Sequence, residues 1–251
     1  MSKKKTISKY LVFSLLCLIV ILIVVVSNPK SPKGADASAY YDYLDTYIPG
    51  LIKKYNVKGA SVVLIHDSQI EYKNNFGDSD AEGKVPVTEN TLFQAASISK
   101  MVTSWGVMNL VEDGLIDLDA PVENYLSRWH LPPSKYNTEE VTIRRMLSHS
   151  SGIAHVGGYT GFESASEVQS LEQSLTSPKD ANINGVEVVY KPGSKYAYSG
   201  GAYTLLQLVI EEVTGQSFED YMKTAILQPL GMNESGFELT PSSDYNVAVV
   251  Y

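Results

Sequence analysis

The apolar positions of the chain fall into three kinds of pattern. Residues 10–26 form an uncharged run of 17 in which, after Tyr10, only Ser14 breaks the apolar character. A membrane-spanning helix needs about 20 apolar residues, with about 17 at the low end. Helical spacing follows. Tyr40, Leu44, Tyr47, Ile48, Leu51 and Ile52 predict an amphipathic helix over 40–55, interrupted by Pro49-Gly50. Ile98, Met101, Val102, Trp105, Met108 and Val111 predict a helix over 97–113 with one broad apolar face, ended by Gly114 and buried in the centre of a domain. Further helices are predicted over 142–148, capped by Thr142, over 202–213, closed by Thr214-Gly215, and over 218–227, stopped by Pro229 and Gly231. The third pattern is that of strands. The β-branched run 61–66, a turn at Asp67-Ser68 and the alternation over 70–76 predict a β-hairpin. A further strand begins at 246. Residues 77–90 read as polar loop, 115–131 as turns with a short helix, and 157–177 as loop or weak helix.

Charge changes how the first run is read. Residues 1–29 carry Lys3, Lys4, Lys5 and Lys9 and no acid, so a formal charge of −8 for the chain leaves −12 for the rest. A basic flank before an apolar run marks a secretory signal peptide or a signal anchor, with the N-terminus inside and the remainder outside. The small-residue sites Ala35-Asp36-Ala37 and Ala37-Ser38-Ala39 lie well past the run, which favours anchoring over cleavage. Cys17 sits in mid-run and does not read as a lipidation site. The expected organisation is a signal anchor or signal peptide over 1–27, a Pro/Gly linker over 28–39, and one domain over 40–251. The expected location is the cell membrane, single-pass with the domain outside, or secretion after cleavage. The acidic body disfavours nucleic acid, which needs clustered Lys and Arg. With Cys17 the only cysteine, no intrachain disulfide and no cysteine-ligated metal site is possible. His149 and His155, six apart, match no zinc-ligand spacing, and neither a phosphate loop nor His-Glu-x-x-His occurs.

The candidate chemistry lies in Ser97-Ile98-Ser99-Lys100. On a helix, residues i and i+3 share a face, so Lys100 can reach back toward the Ser97 hydroxyl. A hydroxyl is a weak nucleophile until a neighbour takes its proton. A helix start adds free N–H groups and partial positive charge for a developing oxyanion. Spacing alone does not single this site out, because Ser2/Lys5 and Ser27/Lys30 repeat it.

Several blocks in order do single it out. Thr91-Leu92-Phe93 precedes Ser97-Ile98-Ser99-Lys100. Next come Leu110-Val111-Glu112-Asp113-Gly114 with Leu118-Asp119-Ala120-Pro121-Val122, then Leu147-Ser148-His149-Ser150-Ser151-Gly152-Ile153. Pro192-Gly193-Ser194-Lys195-Tyr196-Ala197-Tyr198-Ser199, with Tyr203 and Leu205-Leu206, and Pro229-Leu230-Gly231-Met232 complete the series. From about Tyr40 to Tyr251 the chain resembles the serine beta-lactamase and penicillin-binding protein superfamily. The branch is that of class C beta-lactamases, D-Ala-D-Ala carboxypeptidases and related esterases. The resemblance implies an α+β fold of beta-lactamase/transpeptidase type, with an antiparallel sheet flanked by helices plus a helical region. It implies Ser97 as acyl-accepting nucleophile, Lys100 as the group that holds the Ser97 hydroxyl and helps move its proton, and Tyr198 as partner base. The Ser97 N–H would be half of the oxyanion hole, and no cofactor or metal would take part. For Tyr196 and Tyr203, core packing is expected rather than catalysis.

Two departures from that pattern stand out. The family's Tyr-x-Asn is here Tyr198-Ser199-Gly200, and Ser243-Asp244-Tyr245 is not the alternative Ser-Asp-Asn. The third motif, Lys-Thr-Gly or His-x-Gly, is missing, and with it the expected C-terminal sheet strands and final helix. Two readings therefore stand. One is an exported serine hydrolase acting through a Ser97 acyl-enzyme on a peptidoglycan peptide, a beta-lactam or a small ester. The other is a catalytically inactive, truncated, membrane-tethered family member or binding module. Completion by a separate C-terminal polypeptide is a further expectation.

Overall fold

The structure, a computed structural model, describes residues 36–80, 82–154, 168–178, 185–238 and 246–248. The 1–27 segment, most of the 28–39 linker, His155 and Ser243-Asp244-Tyr245 lie outside the described residues. So do the two other Ser-x-x-Lys matches. Among the described residues no helix is long and apolar enough to cross a membrane.

In chain order the regular elements are α1 (Ala37–Tyr55), β1 (Gly59–His66), β2 (Gln69–Gly77), β3 (Thr91–Leu92), α2 (Ser99–Glu112) and α3 (Ile143–Leu147). Then come β4 (Ile153–Ala154), α4 (Leu171–Thr176), β5 (Glu187–Val188), α5 (Gly200–Thr214), α6 (Phe218–Tyr221) and β6 (Asn246–Val247). The α+β composition is as expected. The described strands, however, form three two-stranded pairs, β1-β2, β3-β6 and β4-β5, in place of one helix-flanked sheet. The chain divides into two compact units, Met1–Thr91 with Tyr245–Tyr251, and Leu92–Asp244.

In the first unit, α1 starts where the Asp36 carboxylate accepts the Ala39 N–H at 3.0 Å. It ends at Asn56, which takes a left-handed φ of 54°. The helix runs through Pro49 despite the lost N–H. Asp67 and Ser68 both have positive φ, 46° and 61°. That is the two-residue turn whose twist matches an antiparallel hairpin, and β1 and β2 pair across it with one register shift at Leu64/Ile65. Polar bonds tie α1 to β2. Tyr72 Oη donates to Asp45 at 2.6 Å, and Tyr41 Oη donates to Glu71 at 2.7 Å. Asn246 accepts from Ser79 Oγ at 2.7 Å and donates to Thr91 Oγ1 at 2.9 Å.

The second unit holds the apolar core. Its centre is α5, in which Ala202, Leu205, Leu206, Leu208, Val209 and Ile210 are fully buried. A helix that is apolar nearly all round must be covered on every side. The expectation that α2 plays this part is corrected. α2 buries the stripe Thr103, Gly106, Val107 and Leu110, while Met101, Trp105 and Met108 are exposed. The reason is close approach. A Cβ on Gly106 would lie 2.6 Å from Met222 Sδ, and the Gly106 carbonyl accepts from Tyr221 Oη at 3.0 Å. The helix predicted over 218–227 is present in two parts, since α6 passes into a π-helix over Met222–Leu227. The predicted Thr142 cap forms, its Oγ1 accepting from the Arg145 N–H at 3.3 Å. Arg128 bridges Glu172, Glu211 and Glu212 at 3.1, 2.6 and 3.1 Å and so ties α4 to α5.

Candidate active site

Ser97 does not open α2, as the spacing had predicted. It sits in a 3₁₀ turn, Ala96–Ile98, and α2 begins two residues later at Ser99. The turn starts from Ala96 at φ 44°, a left-handed conformation that few residues with a Cβ adopt. The consequence for Ser97 is an exposed hydroxyl just ahead of a helix of 14 residues. Lys100 lies in the first turn of that helix, and its Nζ donates to Ser97 Oγ at 3.2 Å. The i, i+3 reach inferred from spacing is therefore realised, from a 3₁₀ turn to an α-turn.

The second wall comes from the segment leading into α5. Tyr198 is 101 residues from Ser97 in sequence, yet its Oη donates to Ser97 Oγ at 2.8 Å. Lys100 Nζ lies 5.0 Å from the centre of the Tyr198 ring and 5.8 Å from that of Tyr203. Hydrogen bonding to Lys100, then to Ser97, holds the Tyr198 phenol below its ordinary value of 10, against an opposing effect of burial. The segment is fixed at its far end by Ser199, whose Oγ accepts the Ala202 N–H at 3.0 Å and caps α5. Gly200, at the position where the family pattern has Asn, is the buried first residue of α5 and offers no side chain.

The two neighbouring tyrosines part company. Tyr203 is half-buried, and its Oη donates to the Leu147 carbonyl at 3.1 Å and lies 3.2 Å from Ser104 Oγ. It packs as expected. Tyr196 does not, since it is 68% exposed. Sequence reasoning also passed over His149, weighed only as a metal ligand. Its ring lies 4.5 Å from that of Tyr198, and its Nδ1 accepts the Ser199 N–H at 3.1 Å. The available signal was its place inside the Leu147–Ile153 block. Burial, then the charge of Lys100, keeps this imidazole below its ordinary pKa. Among the described residues no cluster of His, Asp and Glu is gathered to hold a metal ion.

The loop that carries His149 is held by close backbone contact. Gly152 has φ +82°, and a Cβ there would lie 2.2 Å from the Tyr190 carbonyl oxygen. The Gly193 N–H donates to the Ser150 carbonyl at 2.8 Å. The 149–153 loop and the 190–199 segment are thus stitched together, and together they present Tyr198 to Ser97.

Penicillin-binding protein 4* of Bacillus subtilis (strain 168) is 32% identical over 194 residues, which is 77% of this chain and 41% of that protein. The octameric penicillin-binding protein homologue from Pyrococcus abyssi superposes with a TM-score of 0.67 at 32% identity, over 82% of this chain and 47% of that one. EstCE1, a hydrolase with promiscuous acyltransferase activity, superposes with a TM-score of 0.70 at 25% identity, over 84% of this chain and 56% of that one. The chain spans less than half the length of the curated relatives it matches. The sequence profile of the Beta-lactamase family matches residues 44–251, and the chain belongs to that family.

Proposed function

We propose that this protein is an exported serine hydrolase that transfers acyl groups through Ser97, acting on a peptidoglycan peptide, a beta-lactam or a small ester. The observation that carries the reading is the meeting of Tyr198 Oη and Lys100 Nζ on one oxygen, Ser97 Oγ, at 2.8 and 3.2 Å. As phenolate, Tyr198 takes the Ser97 proton while Oγ attacks the carbonyl carbon of the substrate. The proton passes to the leaving amine or alcohol as the tetrahedral intermediate collapses to an ester on Ser97. Water, deprotonated by the same base, then attacks that ester, releases the acid and restores the serine. Lys100 makes Tyr198 easier to ionise and balances the charge that moves through the site. The Ser97 N–H is assigned as one oxyanion donor. The names of the relatives, a penicillin-binding protein and a promiscuous hydrolase, support the substrate classes. The basic, then apolar, residues 1–27 support tethering to the outer face of the cell membrane, with secretion as the alternative.

A second reading, a tethered member without catalysis, has one observation in its favour. Gly200 cannot supply the amide side chain that the family pattern places beside the lysine. One experiment separates the two. The full chain and Ser97→Ala are incubated with a fluorescent penicillin and with a fluorophosphonate. Labelling of the wild type that disappears in Ser97→Ala is the expected result. A folded wild type that takes neither label overturns the hydrolase reading. Labelling should also rise with pH with its midpoint below 10, because the reactive form is the ionised Tyr198 and its pKa is lowered.

A further inference from the structure

His149 holds Tyr198 through three contacts, one to its ring and two to the residues on either side of it. Its carbonyl accepts the Ala197 N–H at 2.7 Å, and its Nδ1 accepts the Ser199 N–H at 3.1 Å. These are the residues immediately before and after Tyr198. Its ring packs against the Tyr198 ring at 4.5 Å with a 38° tilt. One residue thus brackets another on both sides of the main chain and on one ring face.

His149 is itself firmly placed. Its N–H donates to the Met146 carbonyl at 3.1 Å, and it takes a left-handed φ of 55° at the end of α3. Strain of this kind persists only where surrounding structure imposes it. The ring lies among Tyr198, Tyr203 at 5.2 Å and Tyr196 at 5.7 Å. Tyr203 is in turn anchored to Leu147 and Ser104. The charged group acting on the ring is Lys100 of α2, and the other titratable groups facing it are these three phenols.

We propose that His149 is a positioning residue for Tyr198, holding the phenol at Ser97 by accepting the Ser199 N–H through an unprotonated Nδ1. The proposal rests on the reading of Tyr198 as the base for Ser97. An Nδ1 that accepts a backbone N–H fixes the tautomer, with the proton on Nε2. Protonation of the ring places a second donor against the Ser199 N–H and breaks the bond. The surroundings oppose that protonation, since burial and Lys100 both disfavour a second positive charge. The same bond reaches α5, because Ser199 donates its N–H to His149 and accepts the Ala202 N–H on its Oγ. A loop after α3, the base and the cap of α5 are joined at one imidazole.

Two substitutions in the full chain separate the parts of the clamp. In His149→Asn the amide oxygen can stand near the place of Nδ1, and Asn tolerates the left-handed backbone. In His149→Phe the ring is kept and the acceptor is lost. The first readout is the pH-dependent rate of Ser97 labelling by the fluorophosphonate. The maximal rate in His149→Phe should fall about 10²-fold, the loss that a misplaced catalytic group of about 1 Å produces, with the half-saturating probe concentration unchanged. His149→Asn should recover most of that loss. It should also lack a low-pH fall that the wild type owes to His149 protonation. The second readout needs no activity. ¹⁵N-histidine spectra should show Nδ1 of His149 unprotonated at neutral pH. ¹³Cζ-tyrosine spectra, with Tyr198 assigned through Tyr198→Phe, should show its titration displaced in His149→Phe and close to wild type in His149→Asn. If Tyr198→Phe labels as fast as the wild type, the base assignment fails and the clamp has no catalytic task. If the wild type takes no label, the hydrolase reading fails, while the two spectra still decide whether the clamp exists. A protonated Nδ1, or a His149→Phe protein with wild-type rate and Tyr198 titration, overturns the proposal.

Discussion

The two units of the chain are built by different means. The apolar core cluster, from Val107 to Ile226, lies wholly within the second unit. Among the described residues of the first unit only Tyr72 and Val87 are buried apolar residues, α1 buries none, and Val63, Ile65 and Ile70 of the hairpin are exposed. What joins α1 to the hairpin is mostly polar, namely Tyr72 and Asn74 on Asp45 and Tyr41 on Glu71, with the Tyr41 and Tyr72 rings stacked beside them. Such bonds at an accessible surface compete with water and are each worth little. Burial of one Leu or Ile is worth about 1.5–3 kcal/mol. Ser97, Lys100, His149 and Tyr198 all belong to the unit with the core. A site whose parts come from positions 97 to 198 needs a rigid body to hold distances near 3 Å, and the apolar unit is the one able to do so.

The largest expected effect tests this contrast directly. Leu206→Ala, at a fully buried position of α5, should lower the unfolding free energy by about 2–5 kcal/mol. Ile65→Ala, on the exposed hairpin, should change it by less than about 0.5 kcal/mol. Urea denaturation of both variants measures the difference. Equal losses would mean that the exposed face of the hairpin is covered in solution, and the contrast would fail. A smaller effect sharpens it from the polar side. Burial, then the bond to Asp45, pushes the Tyr72 phenol up to about 12. The folded state therefore prefers the protonated phenol. Its contribution is complete below the unfolded tyrosine value near 10 and is lost as pH rises through about 12. Protection of β2 amides, taken relative to their intrinsic exchange rate, should fall across that window while that of α5 amides holds. In Tyr72→Phe that pH dependence should vanish, with a loss at neutral pH of about 0.5–1.5 kcal/mol.

Where a local rule decides the outcome, the sequence could be read. The Asp67-Ser68 turn, the Thr142 cap and the Gly215 stop all depend on a few adjacent residues, and all three are present. Lys100 reaching Ser97 is likewise a matter of three residues. Other features depend on distant partners. Thr103 and Gly106 look like poor core residues, yet they line the buried stripe of α2 because Met222 and Tyr221 press against it. Counting apolar positions accordingly turned the helix to the wrong face. The shift from α-helix to π-helix at Met222 has no local mark that we recognise. His149 was visible as part of a block and invisible as a clamp, since its acceptors meet amides of Ala197 and Ser199 about 50 positions away.

Ala96 carries a consequence for how this protein can change. Its left-handed backbone sets Ser97 in a separate turn ahead of α2, at a cost of about 1–2 kcal/mol for a residue with a Cβ. Glycine would relieve that strain, and selection for a sturdier protein would favour it. The same replacement would free the turn that sets Ser97 ahead of α2. If Ser97 is the nucleophile proposed above, position 96 is a point where robustness and reactivity are set against each other.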